Sequence, residues 1–465
     1  MTTALDLGIF MGSTDIGGPR VPGSASYEHT EYRVTGSGTN MWLGSDEFQF
    51  VWTRVSGDIR LTADAAFLGK GADEHRKACL VLRASLDADS PYADIALHGD
   101  GLISLQYRVE AGSPTQEVQS HRSGRSRIEI RRQGEYVTGF VDGAPSGGSV
   151  RLELPETYYV GLAVCSHDPE VAETAVFSDV ALEQLPTAGT TLYSTLETID
   201  IASTDRRTVD VVDRWIEAPN WTADDRLIVN GEGGLLWSAL SGGGLTPIDT
   251  GFATLCNNDH GLSPDGTLLA ISDQSQGDGE SVIYLVSTGR GTPVRVTDRS
   301  PSYWHGWSPD GLTLTFCGRR DDLWGIFTIA AAGGDERRLT TAERLDDGPE
   351  YSPDGEYIYF NSDRTGLMQI YRIPAAGGDA ERVTDDSTGN WFPHLSPDGR
   401  SMAYIAYAPE VQGHPRDQDV ELKLMDLTTG SVRVLARLFG GQGTMNVPSW
   451  SPDGSRLAFV SYAYL

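Results

Sequence analysis

The chain has 465 residues, including 54 glycines and 23 prolines, and its formal net charge is −29 at pH 7. This length is sufficient for two domains with separate hydrophobic cores. The strong negative charge argues against a nucleic-acid backbone or an anionic membrane as a partner. Many glycines and prolines between short aromatic or β-branched runs are typical of an all-β protein.

The amino-terminal segment and the cysteines bear on cellular location. Residues 1–10 contain an acidic residue and no basic region before a long apolar core, so they lack the pattern of a secretory signal. No run of eighteen apolar residues occurs in the chain. The four cysteines lack the spacing of a disulfide framework or a metal finger and are expected to be buried free thiols. We therefore expect a cytoplasmic protein.

Residues 1–190 are predicted to form a β-sandwich. Strand-like segments such as residues 78–83 and 158–164 follow one another without an internal repeat, and turns rich in Gly, Asp and Ser separate them. Short antiparallel strands joined in this way usually pack as two sheets around one core. Residues 186–191 are the expected linker to a second domain.

The order of these segments, with Gly-Ser-Gly-Thr-Asn-Met-Trp at residues 36–42 and Asp-Val-Ala-Leu at residues 179–182, resembles the concanavalin-like jelly rolls found beside glycan-processing domains in bacteria. The resemblance implies a jelly-roll topology for the first domain.

The second half of the chain contains a repeat with a fixed turn. The sequence Ser-Pro-Asp-Gly starts at Ser263, Ser308, Ser352, Ser396 and Ser451. These starts are 45, 44, 44 and 55 residues apart, and a degenerate copy begins 41 residues before the first. A period in the forties with one tight turn per repeat predicts a β-propeller in which each repeat is one four-stranded blade.

The two ends of this half are expected to complete the ring. Residues 195–201 and 207–212 read as two strands without a preceding turn, while residues 456–461 form the last strand after the last turn. Two outer strands from the start of this half and two inner strands from its end would make one blade. Neither end would then leave an unpaired strand edge. We predict a six-bladed propeller over residues 191–465, closed by pairing of its first and last strands.

This half resembles the propeller of TolB and its relatives. The resemblance rests on the repeated turn, on Tyr-Ile-Tyr-Phe-Asn-Ser-Asp-Arg-Thr-Gly at residues 357–366, and on Ala-Ala-Gly-Gly at residues 375–378. It implies the propeller fold, and it implies that a peptide or protein partner could bind across the channel mouth.

The channel mouth is expected at the end of the inner strands opposite the turns. His260 and His305 each stand three residues before a turn serine, and His394 stands two residues before one. Equivalent offsets predict that the three imidazoles converge on the channel axis. They are candidate ligands of one divalent metal ion, and each alone could instead be a packing residue.

Other residues at the same mouth complete the candidate site. Aspartate and histidine transfer protons, tryptophan stacks on sugar rings, and arginine pairs with carboxylates. The eleven extra residues of the longest repeat fall in residues 407–419, a loop above the mouth. The predicted catalytic residues are His305, Asp347 and His394, and the predicted substrate-binding residues are Asp259, Trp304, Arg319, Arg364, Trp391, His414 and Asn446.

Two classes of function are compatible with this mouth. The first is an intracellular enzyme that cleaves a glycosidic bond of a small saccharide, which could contain a uronate. Hydrolysis would use a pair of carboxylates drawn from Asp259, Asp346, Asp347 and Glu350. Elimination would use the histidine-bound metal, with Arg319 or Arg364 holding the uronate. This second arrangement is similar to that of the oligogalacturonate lyases, which are cytoplasmic propellers.

The alternative is a non-catalytic propeller that binds a protein or peptide, with arginine and tryptophan as anchors. A deep, narrow, polar pocket would favour the saccharide, and a broad, shallow surface would favour the protein. No phosphate-binding loop or nucleophile elbow is present in the sequence.

Overall fold

The structure is a computed structural model that describes residues 6–124, 127–185, 191–276, 279–288, 291–340 and 344–465. It divides into two compact units. The first extends to Thr191 and includes Ser203–Val211 and Tyr464–Leu465, and the second contains Leu192–Ala202 and Val212–Ala463. Five of the six residues expected as the linker, 186–190, lie outside the described residues.

The first unit consists of two sheets. One has the strand order β1 (Gly12–Ile16), β4 (Phe48–Ser56), β14 (Thr157–Cys165), β6 (Lys77–Arg83), β7 (Tyr92–His98), β8 (Leu102–Arg108), β9 (Gln116–Ser123) and β17 (Arg206–Val212). The other has the order β12 (Ala144–Pro145), β11 (Tyr136–Val141), β10 (Arg127–Gln133), β5 (Ile59–Phe67), β15 (Asp168–Gln184), β3 (Glu31–Gly38) and β2 (Ser24–Glu28), with β13 (Val150–Arg151) beside β11.

The two sheets share one hydrophobic core. Alternate residues of each strand point into it, such as Leu80 and Ile95 from one sheet and Leu61 and Ile130 from the other, all buried. The first unit is therefore a strand-built domain, as predicted, while its jelly-roll topology stays a prediction. All four cysteines of the chain are buried and free, as predicted.

The second unit contains five four-stranded antiparallel sheets that follow one another along the chain. The first two are β18 (Glu217–Trp221), β19 (Arg226–Gly231), β20 (Gly234–Ala239), β21 (Thr246–Pro247), and β22 (Cys256–Leu262), β23 (Leu268–Asp273), β24 (Val282–Ser287), β25 (Val294–Arg295). The third is β26 (Ser302–Trp307), β27 (Thr313–Arg320), β28 (Leu323–Ala330), β29 (Arg337–Arg338). The last two are β30 (Asp346–Tyr351), β31 (Tyr357–Ser362), β32 (Gln369–Pro374), β33 (Glu381–Arg382), and β34 (Gly389–Leu395), β35 (Ser401–Tyr407), β36 (Gln418–Asp426), β37 (Val432–Gly440).

Each Ser-Pro-Asp-Gly turn joins the inner strand of a blade to the next strand, and its residue types follow from its hydrogen bonds. In the first full copy, the Ser263 hydroxyl donates to Asp265 Oδ1 at 2.6 Å and accepts from the backbone N–H of Leu268 at 3.0 Å. Gly266 donates its N–H to the Ser263 carbonyl with φ of +70°, a conformation that favours glycine. The repeat therefore fixes one hairpin per blade.

The structure has five separate four-stranded blades, one fewer than the six predicted. The strands predicted for the remaining blade are neighbours in the order β17, β16 (Leu192–Asp200) and β38 (Arg456–Tyr464), but they continue from β9 and do not form a separate sheet. The strand predicted at residues 207–212 is β17, which pairs in parallel with β9 in the first unit. The segment before β38 forms only one isolated bridge to it, between Trp450 and Leu457. The predicted pairing of the first and last strands is present, since β16 lies beside β38.

No helix among the described residues is long and apolar enough to cross a membrane. One short 3-10 helix, Gln442–Thr444, follows the last complete blade.

Candidate functional site

A cavity of about 370 Å³ lies where the inner strands of the blades begin, away from the Ser-Pro-Asp-Gly turns. It is polar on one side and aromatic on the other. Its walls are formed by Asn257, Asp259, Tyr303, His305, Cys317, Trp324, Leu345, Asp347, Phe392, His414, Gln442 and Asn446.

His305 is the centre of this cavity. Its Nε2 atom lies 3.5 Å from Asp347 Oδ1 and 3.8 Å from Asp259 Oδ1, and the imidazole is almost completely buried. His305 is the extra residue of a β-bulge, because its neighbours Trp304 and Gly306 pair with consecutive residues of β27. Bulges re-aim side chains. The bulge therefore explains why the imidazole of His305 faces two carboxylates.

Asp259 is held by two amide donors. Asn446 donates from Nδ2 to Oδ1 at 2.6 Å, and Asn257 donates from Nδ2 to Oδ2 at 2.5 Å. Burial raises the pKa of Asp259, and it outweighs the lowering by His305 and by these donors. Asp259 is therefore the carboxyl group of the cavity that more readily holds a proton.

The environment of Asp347 shifts its pKa in the opposite direction, downward. Burial would raise the pKa of Asp347, but His305, His414 and the backbone N–H of Gly348 hold it well below its usual range. The His414 Nε2 atom is 3.6 Å from Asp347 Oδ2, and Gly348 donates to Oδ1 at 2.8 Å. Burial would likewise lower the pKa of His305, yet the two carboxylates raise it. The cavity thus contains an ionised Asp347 beside an imidazole that holds its proton more readily than a free imidazole does.

The apolar wall of the cavity is aromatic. The rings of Tyr303 and Trp324 stack with centroids 6.0 Å apart. Phe392 stacks on His305 at 6.1 Å and holds a φ of +55°, which is unusual for a residue with a large side chain. Backbone strain of this kind concentrates at functional sites, where the surrounding structure must hold it in place.

Five of the predicted site residues meet in the cavity: Asp259, His305, Asp347, His414 and Asn446. His414 comes from the loop that carries the eleven extra residues, and its ring packs edge-on against Trp391 at 4.4 Å. The longest repeat therefore contributes a side chain to the cavity, as its position in the sequence predicts.

The other two predicted metal ligands do not reach the cavity. His260 is fully buried with its Nε2 3.3 Å from the Ile228 carbonyl, and burial lowers its pKa to about 4. His394 makes a 2.7 Å contact from Nδ1 to Glu350 Oε2. Both histidines are paired in register, with Ile271 and Ala403 respectively, just after the bulge of their strands.

The predicted three-histidine metal site is therefore not assembled. Across the described residues, no group of three or more His, Cys, Asp or Glu side chains is arranged to hold a metal ion.

The predicted tryptophans and arginines do not line the cavity. Trp304 and Trp391 are buried in hydrophobic clusters between blades. Arg364 donates from Nη2 to Asp346 Oδ1 at 2.9 Å. Arg319 stays half-exposed near the cavity, 5.7 Å from the Trp324 ring and 3.4 Å from Glu280.

Glu217 is a candidate site residue that the prediction from the histidines did not include. It stands five residues before the degenerate turn, the same offset that Asp347 has from its own turn. Burial raises its pKa to about 7, and the nearby charge of Asp259 adds to this effect. It packs close to Gly443, next to the cavity residue Gln442. Applying the repeat offset to the degenerate blade could have found it.

Known proteins match mainly the second unit. Residues 262–462 match the family model of the TolB β-propeller domain. An uncharacterised protein of Agrobacterium fabrum is 49% identical over 276 residues, which is 59% of this chain and 94% of that protein. A solved structure of a candidate TolB from Agrobacterium tumefaciens is also 49% identical, with a TM-score of 0.57 over 59% of this chain and 99% of that one.

An oligogalacturonate lyase solved in complex with manganese covers 59% of this chain and 98% of its own, at 13% identity and a TM-score of 0.40. Similarity at that level carries no argument about activity. The 49% identity to the Agrobacterium proteins, over nearly their whole length, shows that this chain is related to them. The chain belongs to the TolB-like β-propeller family.

Proposed function

We propose that the cavity binds a small saccharide and hydrolyses its glycosidic bond. The observation that carries this proposal is the pair of carboxyl groups that face the Nε2 atom of His305 and whose pKa values shift in opposite directions. Two carboxyl groups separated in this way can serve as acid and base, which is the chemistry that most glycoside hydrolases use.

The roles follow from the directions of the two pKa shifts. Asp259, the carboxyl group that more readily holds a proton, donates it to the glycosidic oxygen as the bond to the anomeric carbon breaks. Ionised Asp347 accepts a proton from the water whose oxygen forms the new bond to that carbon. The products are two sugars with free hydroxyl groups, and proton exchange with solvent restores the two carboxyl groups. His305 keeps Asp347 ionised and is a positioning residue.

The remaining cavity side chains support binding of a sugar. Trp324 and Tyr303 offer aromatic faces for stacking. The amides of Asn257, Gln442 and Asn446 can exchange hydrogen bonds with hydroxyl groups. A cavity of about 370 Å³ is in the range of small-ligand sites, which favours a short saccharide over a protein surface at this end of the propeller.

Among the described residues that line the cavity there is no arginine or lysine to pair with a uronate carboxylate, which favours an uncharged sugar. Asp259 and Asp347 lie in the cavity, whereas the Arg364 guanidinium is paired with Asp346. Elimination through a histidine-bound metal would need His260 and His394 beside His305, and their contacts lie elsewhere.

A turnover screen tests the proposal. Purified protein is incubated with chromogenic monosaccharide glycosides and with neutral and uronate oligosaccharides, and ligand binding is measured by calorimetry. We expect turnover of a neutral substrate that Asp259→Asn and Asp347→Asn each reduce about 10²–10⁴-fold. Asp224→Asn, at an exposed turn, is the matched control. Binding without turnover by the wild type, or turnover that is unchanged in Asp347→Asn, contradicts the proposal.

A further inference from the structure

A second cavity, of about 490 Å³, opens on the face of the propeller that carries the Ser-Pro-Asp-Gly turns. We call it the turn-face cavity. It lies at the opposite ends of the inner strands from the cavity around His305. The residue immediately before the serine position of a turn contributes to its wall in five repeats: Trp221, Leu262, Trp307, Tyr351 and Trp450.

Two tryptophans of this wall are fixed by hydrogen bonds to the backbone of other strands. Trp307 donates from Nε1 to the Gly261 carbonyl at 3.1 Å, and Trp450 donates from Nε1 to the His394 carbonyl at 2.9 Å. The turn prolines Pro264, Pro309, Pro353, Pro397 and Pro452 complete the apolar surface. Rigid aromatic and proline surfaces bind with little loss of side-chain entropy.

The turns on this face carry more carboxylates than cationic groups. Among the described residues that line the turn-face cavity, none is Lys, Arg or His, and Glu350 is the only one with a carboxylate. Each of the turns that supply these prolines also carries an exposed carboxylate: Asp265, Asp310, Asp354, Asp398 and Asp453. Hydrogen bonds from the turn serines lower the pKa of each of these five groups, so they are ionised at neutral pH.

The tryptophans on this face can also accept a cation. The Arg456 guanidinium already lies 5.0 Å from the centre of the Trp221 ring. Attraction of this kind is strongest for tryptophan. Arg400, directly after the Ser396 turn, lies 4.0 Å from Asp398. Apolar aromatic walls beside exposed turn carboxylates therefore match a ligand that is both apolar and positively charged.

We propose that the turn-face cavity binds an extended peptide segment of a partner protein, in which lysine or arginine stands next to apolar residues such as leucine and proline. The apolar side chains occupy the space between Trp307, Tyr351 and Trp450, and the cationic groups contact the turn carboxylates. This site shares no lining residue with the cavity around His305, so the proposal does not depend on the saccharide hypothesis.

Fluorescence anisotropy with labelled hexapeptides tests this site. One panel is composed of Lys, Arg, Leu and Pro, and a matched panel has Glu in place of Lys and Arg. We expect members of the basic panel to bind with Kd below about 1 mM, and binding to weaken with added salt because surface charges are screened. Trp307→Leu should weaken binding about tenfold or more, since aromatic anchors dominate such contacts.

Two further variants keep the test decisive. Asp310→Asn combined with Asp354→Asn preserves the turns, because asparagine also accepts their hydrogen bonds, and it should weaken binding and reduce its salt dependence even if Trp307→Leu fails to fold. Trp324→Leu, in the other cavity, should leave peptide binding unchanged. The proposal is overturned if no basic peptide binds, if the acidic panel binds equally well, if Trp324→Leu abolishes binding, or if arginine amide alone binds as tightly as the peptides.

Discussion

Asn446 donates a hydrogen bond of 2.6 Å from Nδ2 to Oδ1 of Asp259, and it joins two residues 187 positions apart in the chain. The contact brings the segment after the last complete blade to the second blade. It holds one oxygen of Asp259 while the carboxyl group lies beside His305. A position remote in sequence therefore sets the orientation and the proton affinity of the proposed acid.

Replacing Asn446 with leucine should change the pH dependence of turnover. The Asn446 amide lowers the pKa of Asp259, so its removal should raise that pKa further. Because Asp259 acts in its protonated form, the alkaline limb of the kcat/KM profile should move to higher pH. Loss of the bond should also reduce the free energy of unfolding by about 1 kcal/mol. An alkaline limb that moves to lower pH would show that Asp259 is not the acid.

Glu217 should make the stability of the protein fall as pH rises. Its folded-state pKa of about 7 exceeds the ordinary glutamate value of 4.5, so the folded state binds more protons than the unfolded state between these values. The stabilising contribution is complete below about pH 4.5 and is lost as pH rises through about 7. Glu217→Gln should therefore raise the melting temperature at pH 8 relative to wild type. Equal melting temperatures at pH 8 would contradict this account.

His394 should affect stability and His305 should affect turnover. His394→Ala leaves Glu350 without its 2.7 Å partner, and breaking a buried pair of this kind costs about 3 kcal/mol of unfolding free energy. Turnover per folded molecule should stay unchanged. His305→Ala should instead reduce turnover about 10²–10⁴-fold, with a smaller change in melting temperature. Equal effects of the two variants on turnover would contradict the assignment of His305 to turnover and His394 to stability.

Trp324 should contribute to binding of the sugar rather than to its chemistry. Trp324→Leu removes the ring that stacks with Tyr303, and an aromatic contact of this kind is worth about 1 kcal/mol. We expect KM to rise about fivefold with kcat nearly constant, because the stacking is equal in the ground and transition states. A fall in kcat at constant KM would instead show that Trp324 stabilises the transition state more than the bound substrate.

The repeats made the propeller predictable, because each turn requires serine, aspartate and glycine for stated hydrogen bonds. The blade count was not predictable in the same way. The strand at residues 207–212 has an ordinary strand pattern, and only the structure shows it beside β9 in the first unit. Pairing with a remote strand leaves no local signal in the sequence.

The candidate site was predicted in part, and the β-bulges explain the difference. His260 and His305 have the same offset from their turns, yet His305 is the unpaired bulge residue whereas His260 is paired with Ile271. A shift of one residue turns a side chain to the other face of a strand. The position before a turn therefore gave the correct end of the propeller for Asp347 but the wrong facing for His260.

The most direct test of the central claim is to identify the product of saccharide turnover in heavy-oxygen water by mass spectrometry. Hydrolysis by Asp259 and Asp347 predicts a saturated product in which one hydroxyl oxygen comes from the solvent. The signal should be lost in Asp347→Asn and retained in Asp224→Asn. An unsaturated product without solvent oxygen, or a labelled product that persists in Asp347→Asn, would contradict the account.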